Sequence, residues 1–460
     1  MVDAKNEIDI RSMIMQRGSS SALADLFIRQ RRFIQKGGVK GDQVDWSELQ
    51  PFVQDDLLRV PENQHSYEEL EKLGKDNLAK CAIIKLNGGR STTMGGSVPK
   101  CMVIAKNGQN FLDIAMQRIM AINDRLDIEI PLVLMNSFFT DQVSEEIVGK
   151  TPLVIMSFVQ NEYPRLCADD LSLLNTGTDA DRCPPGHGDI YRSIYDSGML
   201  DKLILLGLRW VFVSNIDNLG AHISPAILGA MIANKHDFLL EVTRKTCADV
   251  KGGAPVFIGG KPNLLEIAQV EKQHVETFQD IERFPFFNTN NIWIDLHSLK
   301  KLIETDRISM PVIVNRKSVN NIRVVQVETA MGAAMGSFER PAAIEVDRSR
   351  FFPIKKMSDL LVLLSDAVIL TNEFKIIVNP QRSSKLTERP LVEFKDGFMA
   401  SNKFSDHFED PSLISLVDAV QLTVSGDVYF EKDVKIKGNV HVENSGTNRL
   451  VIKSGTLLGP

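Results

Sequence analysis

The sequence predicts an α/β protein: a mixed, mostly parallel sheet covered by helices, entered through a helical segment and left through a parallel β-solenoid. Three observations carry this expectation. From residue 81 onward short apolar runs alternate with longer amphipathic ones, the first 76 residues are charged and helically spaced, and the tail repeats every six residues.

In residues 1–76, "SALADLFIRQRRFIQ" and "SYEELEKLGKDNLAK" place apolar positions three and four apart, the spacing of one helix face. Next, "CAIIKL" reads as a buried strand, and "NFLDIAMQRIMAIND" as a helix with Phe111, Ile114, Ala115, Ile119 and Ile122 on one side. Further strands follow in "IPLVLMNS", "PLVIMSF" and "WVFVSNID". Strands alternating with helices favour a mostly parallel sheet, in which ligands sit beyond the carboxyl ends of the strands. In the tail, Leu422/Val424, Val428/Phe430, Val434/Ile436 and Val440/Val442 keep a step of six, with Gly426 and Gly438 in the turns. Alternation within a pair is that of a strand, and the constant step between pairs is that of stacked parallel coils; a meander would need no fixed period. The expected division is a helical region over 1–76, an α/β domain over 77–375 and a solenoid over 376–460.

At 460 residues, 43% hydrophobic and 24% charged, the chain has the composition of a globular protein of two or three domains. Its 53 basic and 59 acidic side chains leave a net charge of -6, which excludes a general basic field for nucleic acid. An anionic ligand must then be met by local cations or a metal. The cysteines, Cys81, Cys101, Cys167, Cys183 and Cys247, are odd in number and lack a Cys-x-x-Cys pair, as reduced thiols would. "MVDAKNEIDIRSM" has no apolar signal core, and no apolar run approaches the ~18 residues of a membrane span. A cytoplasmic protein with no membrane or nucleic-acid partner is expected.

Several stretches suit phosphate and sugar chemistry. "LNGGRSTTMGG" follows a strand, and glycine backbone can converge on an anion where no Cβ intrudes. The stretch is neither a Walker loop nor a Gly-x-Gly-x-x-Gly fingerprint, so alone it does not separate a phosphate cradle from a strand-to-helix turn. "FVSNIDNLGA" puts Asn215 and Asp217 at a strand end, where the carboxylate holds Mg²⁺ or caps a helix. "PPGHGDIY" sets His187 between two glycines, either as a ligand contact or as a loop tip. Lys251 and Gly253 in "VKGGAP", Asn288 and Asn290 in "FNTNNIW", and Lys355 in "RFFPIKKMSDL" are each, singly, as compatible with turns, caps or solvated charge as with a ligand.

In their order and wording these stretches resemble the eukaryotic-type UDP-glucose pyrophosphorylases (UTP–glucose-1-phosphate uridylyltransferases). The blocks are "KLNGG", "TTMG", "FVQNEYPR", "PPGHGDIY", "FVSNIDNLGA", "EVTRKTCADVKGG", "EIAQV", "FNTNNIW", "VVQVETAMGAA", "RSRFFPIKKMSDL" and "LTVSGDV", from about residue 40 to the end. The resemblance implies a Rossmann-like nucleotide-diphospho-sugar transferase domain of GT-A-like type and a left-handed C-terminal β-helix. It implies formation of UDP-glucose and pyrophosphate from UTP and glucose 1-phosphate, with Mg²⁺. By the same resemblance Leu86, Asn87, Gly88 and Gly89 meet the nucleotide, and Gln160 and Gly186 read the uracil. His187, Asn215, Ile216, Asn290, Lys251 and Gly253 lie at the sugar phosphate, Lys100 and Lys355 clamp phosphates, and Asp217 binds the metal. Such a transfer needs no general base, only alignment and neutralisation of charge.

Two features depart from the family. Where it usually reads Gly-Gly-Leu-Gly-Thr, this chain reads Gly88-Gly89-Arg90-Ser91-Thr92; a serine in a position needing positive φ would be strained by about 1 kcal/mol or more. Arg182-Cys183 replace an aromatic pair. The first departure defines two readings, an active uridylyltransferase and a weakened or inactive paralogue that binds nucleotide or partner subunits. Homo-oligomers through the β-helix are implied by the family, and the short tail speaks against them.

Overall fold

The computed structural model describes residues 2–38, 44–61, 63–91, 94, 98–246, 249–383, 386, 388–395, 398 and 403–460. Two units account for the chain, each drawn from separate stretches: Met1–Leu86, Glu129–Ser214 and Ile223–Arg348 in the first, Asn87–Ile128, Asn215–His222 and Ser349–Pro460 in the second.

In the first unit, helices α1 (Val2–Gln16) and α2 (Ser21–Gln35) fulfil the periodicity of the N-terminal stretch. Ser20 caps α2 by accepting the Leu23 N–H on its hydroxyl. Leu23, Ala24, Phe27, Ile28 and Ile34 then share a buried face with Ile10 and Ile14 of α1, over Tyr163, Leu166, Val325 and Val327. Helices α3 (Gln64–Lys75) and α6 (Pro225–Ala233) touch backbone to backbone. A Cβ on Gly74 would lie 1.8 Å from the Pro225 carbonyl oxygen, and one on Gly229 1.9 Å from that of Leu70.

The central sheet of this unit has seven strands: β1 (Cys81–Asn87), β2 (Leu132–Asn136), β3 (Ile155–Val159), β4 (Trp210–Asn215), β5 (Phe238–Arg244), β6 (Phe286–Asp295) and β7 (Pro341–Glu345). Their order is β7-β5-β6-β4-β1-β2-β3. The sheet is mixed. Strand β2 pairs with β3, and β5 with β7, in parallel, whereas β6 runs antiparallel to both β4 and β5. Strand β1 is buried along almost its whole length, which is why "CAII" is continuously apolar instead of alternating; Lys85, buried in the same strand, donates from Nζ to Ser214 Oγ at 2.8 Å.

The β5–β6 ladder breaks between Glu241, opposite Asn291, and Val242, opposite Asn288. Thr289 and Asn290 bulge out of register, and Asn290 adopts φ +58°, a left-handed conformation that asparagine tolerates better than most residues. The bulge is pinned from the core: Glu241, fully buried, accepts from Asn291 Nδ2 at 3.0 Å and from the Trp293 indole at 2.9 Å.

In the second unit, helix α4 (Phe111–Leu126) starts with a reciprocal cap between Asn110 and Asp113 and buries Phe111, Ile114, Ala115 and Ile119 as its spacing predicts. The C-terminal strands β8 (Leu391–Phe394), β9 (Ser415–Ser425), β11 (Lys435–Glu443) and β13 (Leu457–Leu458) stack in parallel, as do β10 (Val428–Phe430) and β12 (Leu450–Ile452). Leu422 faces Val440 and Val424 faces Val442, so one coil spans three steps of the six-residue period. Leu422, Val424, Val428, Phe430, Val434, Ile436 and Val442 are buried.

Candidate active site

In the second unit, three residues separated widely in sequence meet at one carboxylate. Asp217, 3% exposed, lies two residues beyond β4; its Oδ2 accepts from Lys100 Nζ at 2.5 Å and from Lys355 Nζ at 3.0 Å. Burial pushes this carboxyl up, and the charges of Lys355 and Lys100 outweigh that, holding it below the usual carboxylate range. Both ammonium groups use the same oxygen, and among the described residues the buried Asp217 Oδ1 has no hydrogen-bond partner. Two cations and one anion thus leave a net positive centre with an acceptor still to be filled.

The backbone fixes this meeting. Asp217 O accepts the Ile354 N–H at 3.1 Å, and Asp359 Oδ2 accepts the N–H groups of Lys355 and Lys356 at the start of helix α7 (Met357–Leu364). Asn218 stitches the same two segments: its Oδ1 accepts from Phe352 N at 2.8 Å, and its Nδ2 donates to Arg350 O at 3.2 Å. Gly220 allows the approach, since a Cβ there would lie 2.3 Å from Ser349 O. Asn215 ends β4 and accepts the Asn218 N–H on its carbonyl, and Ile216 is 3% exposed.

Gly89 joins the same region by accepting the Lys100 N–H at 3.0 Å, and Gly88 precedes it, partly exposed. Gly89 does not carry positive φ, and among the described residues a Cβ on it would meet only Lys100 Cδ at 3.9 Å. Its missing side chain therefore serves no packing against the described residues. Ser91, also without positive φ, is buried; its N–H and its hydroxyl both donate to Val98 O, at 3.2 and 2.8 Å. The strain expected of a serine in this place is absent. Arg90 is exposed and its backbone bridges to Pro99. Thr92, Thr93, Gly95, Gly96 and Ser97 of the loop, and Cys247, lie outside the described residues. Cys101, beside Lys100, is fully buried, and burial pushes its thiol up to about 11, so it is no ready thiolate.

In the first unit, Leu86 lies near the end of β1, half-buried, and Gln160, 8% exposed, follows β3 with its N–H on Asn136 O at 2.8 Å. Gly186 has φ +81° and backs onto Thr329, so both glycines around His187 are explained by packing. A Cβ on Gly186 would lie 2.6 Å from Thr329 O, and one on Gly188 2.4 Å from Thr329 Oγ1. Gly186→Ala is accordingly expected to cost about 1–3 kcal/mol, read as a lowered urea midpoint with unchanged slope. His187 Nδ1 accepts the Met331 N–H at 3.0 Å. A backbone amide can only donate, so the neutral imidazole carries its proton on Nε2 and offers it as a donor.

Asn288 and Asn290 face each other across the bulge: Asn288 Nδ2 donates to Asn290 Oδ1, and Asn290 N to Asn288 Oδ1, each at 2.8 Å. Gly253 accepts the Asn288 N–H at 2.8 Å, and a Cβ on Gly253 would lie 2.7 Å from the Glu266 carboxylate. Burial holds Glu266 above its ordinary range, against a hydrogen bond from Asn288. Lys251 is exposed on the turn before Gly253. Arg182 replaces one aromatic of the family pattern and still covers an aromatic ring, 4.2 Å over Phe138, while pairing with Glu162 and Asp179. Cys183 is a core residue, its thiol pushed up to about 12 by burial.

A family model described as UTP–glucose-1-phosphate uridylyltransferase matches residues 24–437. The chain belongs to the UTP–glucose-1-phosphate uridylyltransferase family. The member from Solanum tuberosum is 41% identical over 91% of this chain and 88% of its own. Among solved structures, UDP-glucose phosphorylase from Trypanosoma brucei superposes with a TM-score of 0.85 at 32% identity, over 99% of this chain and 98% of that one. A variant UDP-glucose pyrophosphorylase from Leishmania major, in complex with UDP-glucose, gives 0.82 at 31%, over 98% of each chain.

For a member of this uridylyltransferase family the residues can be tested against a divalent cation. No group of three or more His, Cys, Asp and Glu side chains gathers among the described residues, which argues against an all-protein metal cage. The unpartnered, buried Oδ1 of Asp217 fits instead the habit of Mg²⁺, which takes one or two carboxylates and completes its shell with water and substrate phosphate. Three residues escaped the sequence reading of this family member: Glu266, Asn218 and Asp189. Each stands inside or beside a quoted block, in "EIAQV", "SNIDNLGA" and "HGDIY"; Asn218 and Asp189 are buried, Glu266 is half-buried, and each has a partner remote in sequence.

Proposed function

We propose that this chain transfers the uridylyl group of UTP to glucose 1-phosphate, releasing pyrophosphate, with Mg²⁺ at Asp217 and in the cytoplasm. The carrying observation is the meeting of Lys100 and Lys355 on Asp217 Oδ2, with Oδ1 of the same carboxylate buried and unpartnered among the described residues. In this reading the phosphate oxygen of the sugar forms a bond to the α-phosphorus while the bond to pyrophosphate breaks, and no proton has to move. Lys100 and Lys355 turn from Asp217 toward the phosphates and neutralise the charge that grows on the leaving oxygen. A bound Mg²⁺ supplies further neutralisation of the phosphates and helps to align them. Leu86, Asn87, Gly88 and Gly89 line the nucleotide, the bare backbone at Gly89 serving close approach. Gln160 and Gly186 read the base. His187 donates through Nε2, and Asn215, Ile216, Asn290, Lys251 and Gly253 serve the sugar phosphate. Glu266, a half-buried carboxyl beside Asn288, suits sugar hydroxyls. The finer fold assignment, a GT-A-like domain with a left-handed β-helix, belongs to the same reading.

Pyrophosphate release from UTP with glucose 1-phosphate and Mg²⁺ tests it, for the native chain and for Arg90→Leu/Ser91→Gly together. Since Ser91 is unstrained and satisfied, the native chain should turn over and the double substitution should change its rate by less than about tenfold. Silence in the native chain with activity in the double variant would support the nucleotide-binding paralogue instead.

A further inference from the structure

Asp189 stands at the N-cap of helix α5 (Ile190–Asp196), where an aspartate ordinarily accepts an N–H of its own first turn. Its side chain caps nothing there. It is 5% exposed and reaches Asn161 instead: Oδ2 accepts the Asn161 N–H at 2.6 Å, and Oδ1 accepts from Asn161 Nδ2 at 2.9 Å. Asn161 directly follows Gln160, and the Asp189 N–H in turn donates to Gly186 O at 3.2 Å. One carboxylate thereby ties the loop that carries Gln160 to the turn that carries Gly186 and His187.

We infer that Asp189 is the positioning residue for base choice, holding Gln160 and Gly186 in the one mutual geometry that accepts uracil; this rests on the uridylyltransferase reading above. The chemistry shows why a latch is needed. A glutamine carboxamide pairs with the N3–H and a carbonyl of uracil in one orientation, and in the flipped orientation it pairs equally well with N3 and the amino group of cytosine. Glutamine alone therefore cannot choose. Discrimination demands that the backbone at 160 and 161 be held firmly enough for neighbouring groups to fix which face the amide presents, and a bidentate grip on a buried carboxylate supplies that.

Calorimetric binding of UTP and of CTP to the full chain tests this without requiring turnover. Asp189→Ala removes both acceptors and is expected to lower the preference for UTP over CTP about tenfold, the value of one charged hydrogen bond. Asp189→Asn keeps both bonds if the Asn161 amide turns over, so it should retain most of the preference, which a purely electrostatic role would not allow. Asn161→Ala loses only the amide bond; it is expected to lower the preference about threefold and serves as the test should Asp189→Ala not fold. A native chain that binds UTP no better than CTP would overturn both the inference and the uridylyltransferase reading. A native chain that discriminates, with a folded Asp189→Ala or Asn161→Ala that discriminates equally, would overturn the inference alone.

Discussion

Asp217→Asn is expected to lower kcat by about 10³-fold and to raise the Mg²⁺ concentration needed for half-maximal rate. The change is nearly isosteric, so the loss would come from charge. Asp217 now balances two ammonium groups on one oxygen and keeps the other buried and unpartnered among the described residues. An amide in that place cannot balance the lysines and presents at most one neutral acceptor to a cation. A Mg²⁺ titration of pyrophosphate release decides the matter. A variant within about tenfold of the native rate, with the same Mg²⁺ dependence, would remove Asp217 from the site.

Lys100→Met is expected to cost about 10²–10³ in kcat, the scale of one preorganised charge aimed at a developing anion. Lys100 is the better held of the two cations, its side chain 13% exposed against 53% for Lys355. Because both act through the same carboxylate oxygen, Lys100→Met and Lys355→Met should not add: the double variant is expected to lose less than the product of the single losses. Lys100→Arg should rescue little, since a planar guanidinium cannot take the place of a compact ammonium in a buried contact. Rates for the three variants at saturating substrates separate these outcomes, and additive losses would mean that the two lysines meet different phosphates independently.

The readable parts of the fold are those written in local periodicity. Residues Leu23, Phe27 and Ile34 announce their helix because burial on one face requires that spacing, and Leu422 and Val424 announce their coil because stacked coils repeat. Strand β6 is different. Nothing in "FNTNNIW" tells that it runs against its neighbours or that Thr289 and Asn290 leave the ladder, because direction and bulge are set by Glu241 beneath them, 50 residues away from Asn291 in sequence. The same holds at the site. Lys100, Asp217 and Lys355 could be named singly, but their shared oxygen depends on contacts 117 and 138 residues apart. Ser91 shows the opposite error: its identity suggested strain, whereas strain depends on a backbone angle that identity does not determine.

The second unit is assembled from three stretches of chain, the middle one only the eight residues from Asn215 to His222. During synthesis on the ribosome, Asp217 emerges with Lys100 already made and Lys355 still 138 residues away. The short stretch with the buried carboxylate must therefore wait in an incomplete setting, its Phe352 and Ile354 partners not yet translated. A chain interrupted before Lys355 therefore cannot complete the charge cluster around Asp217, whatever part of the fold it has already made.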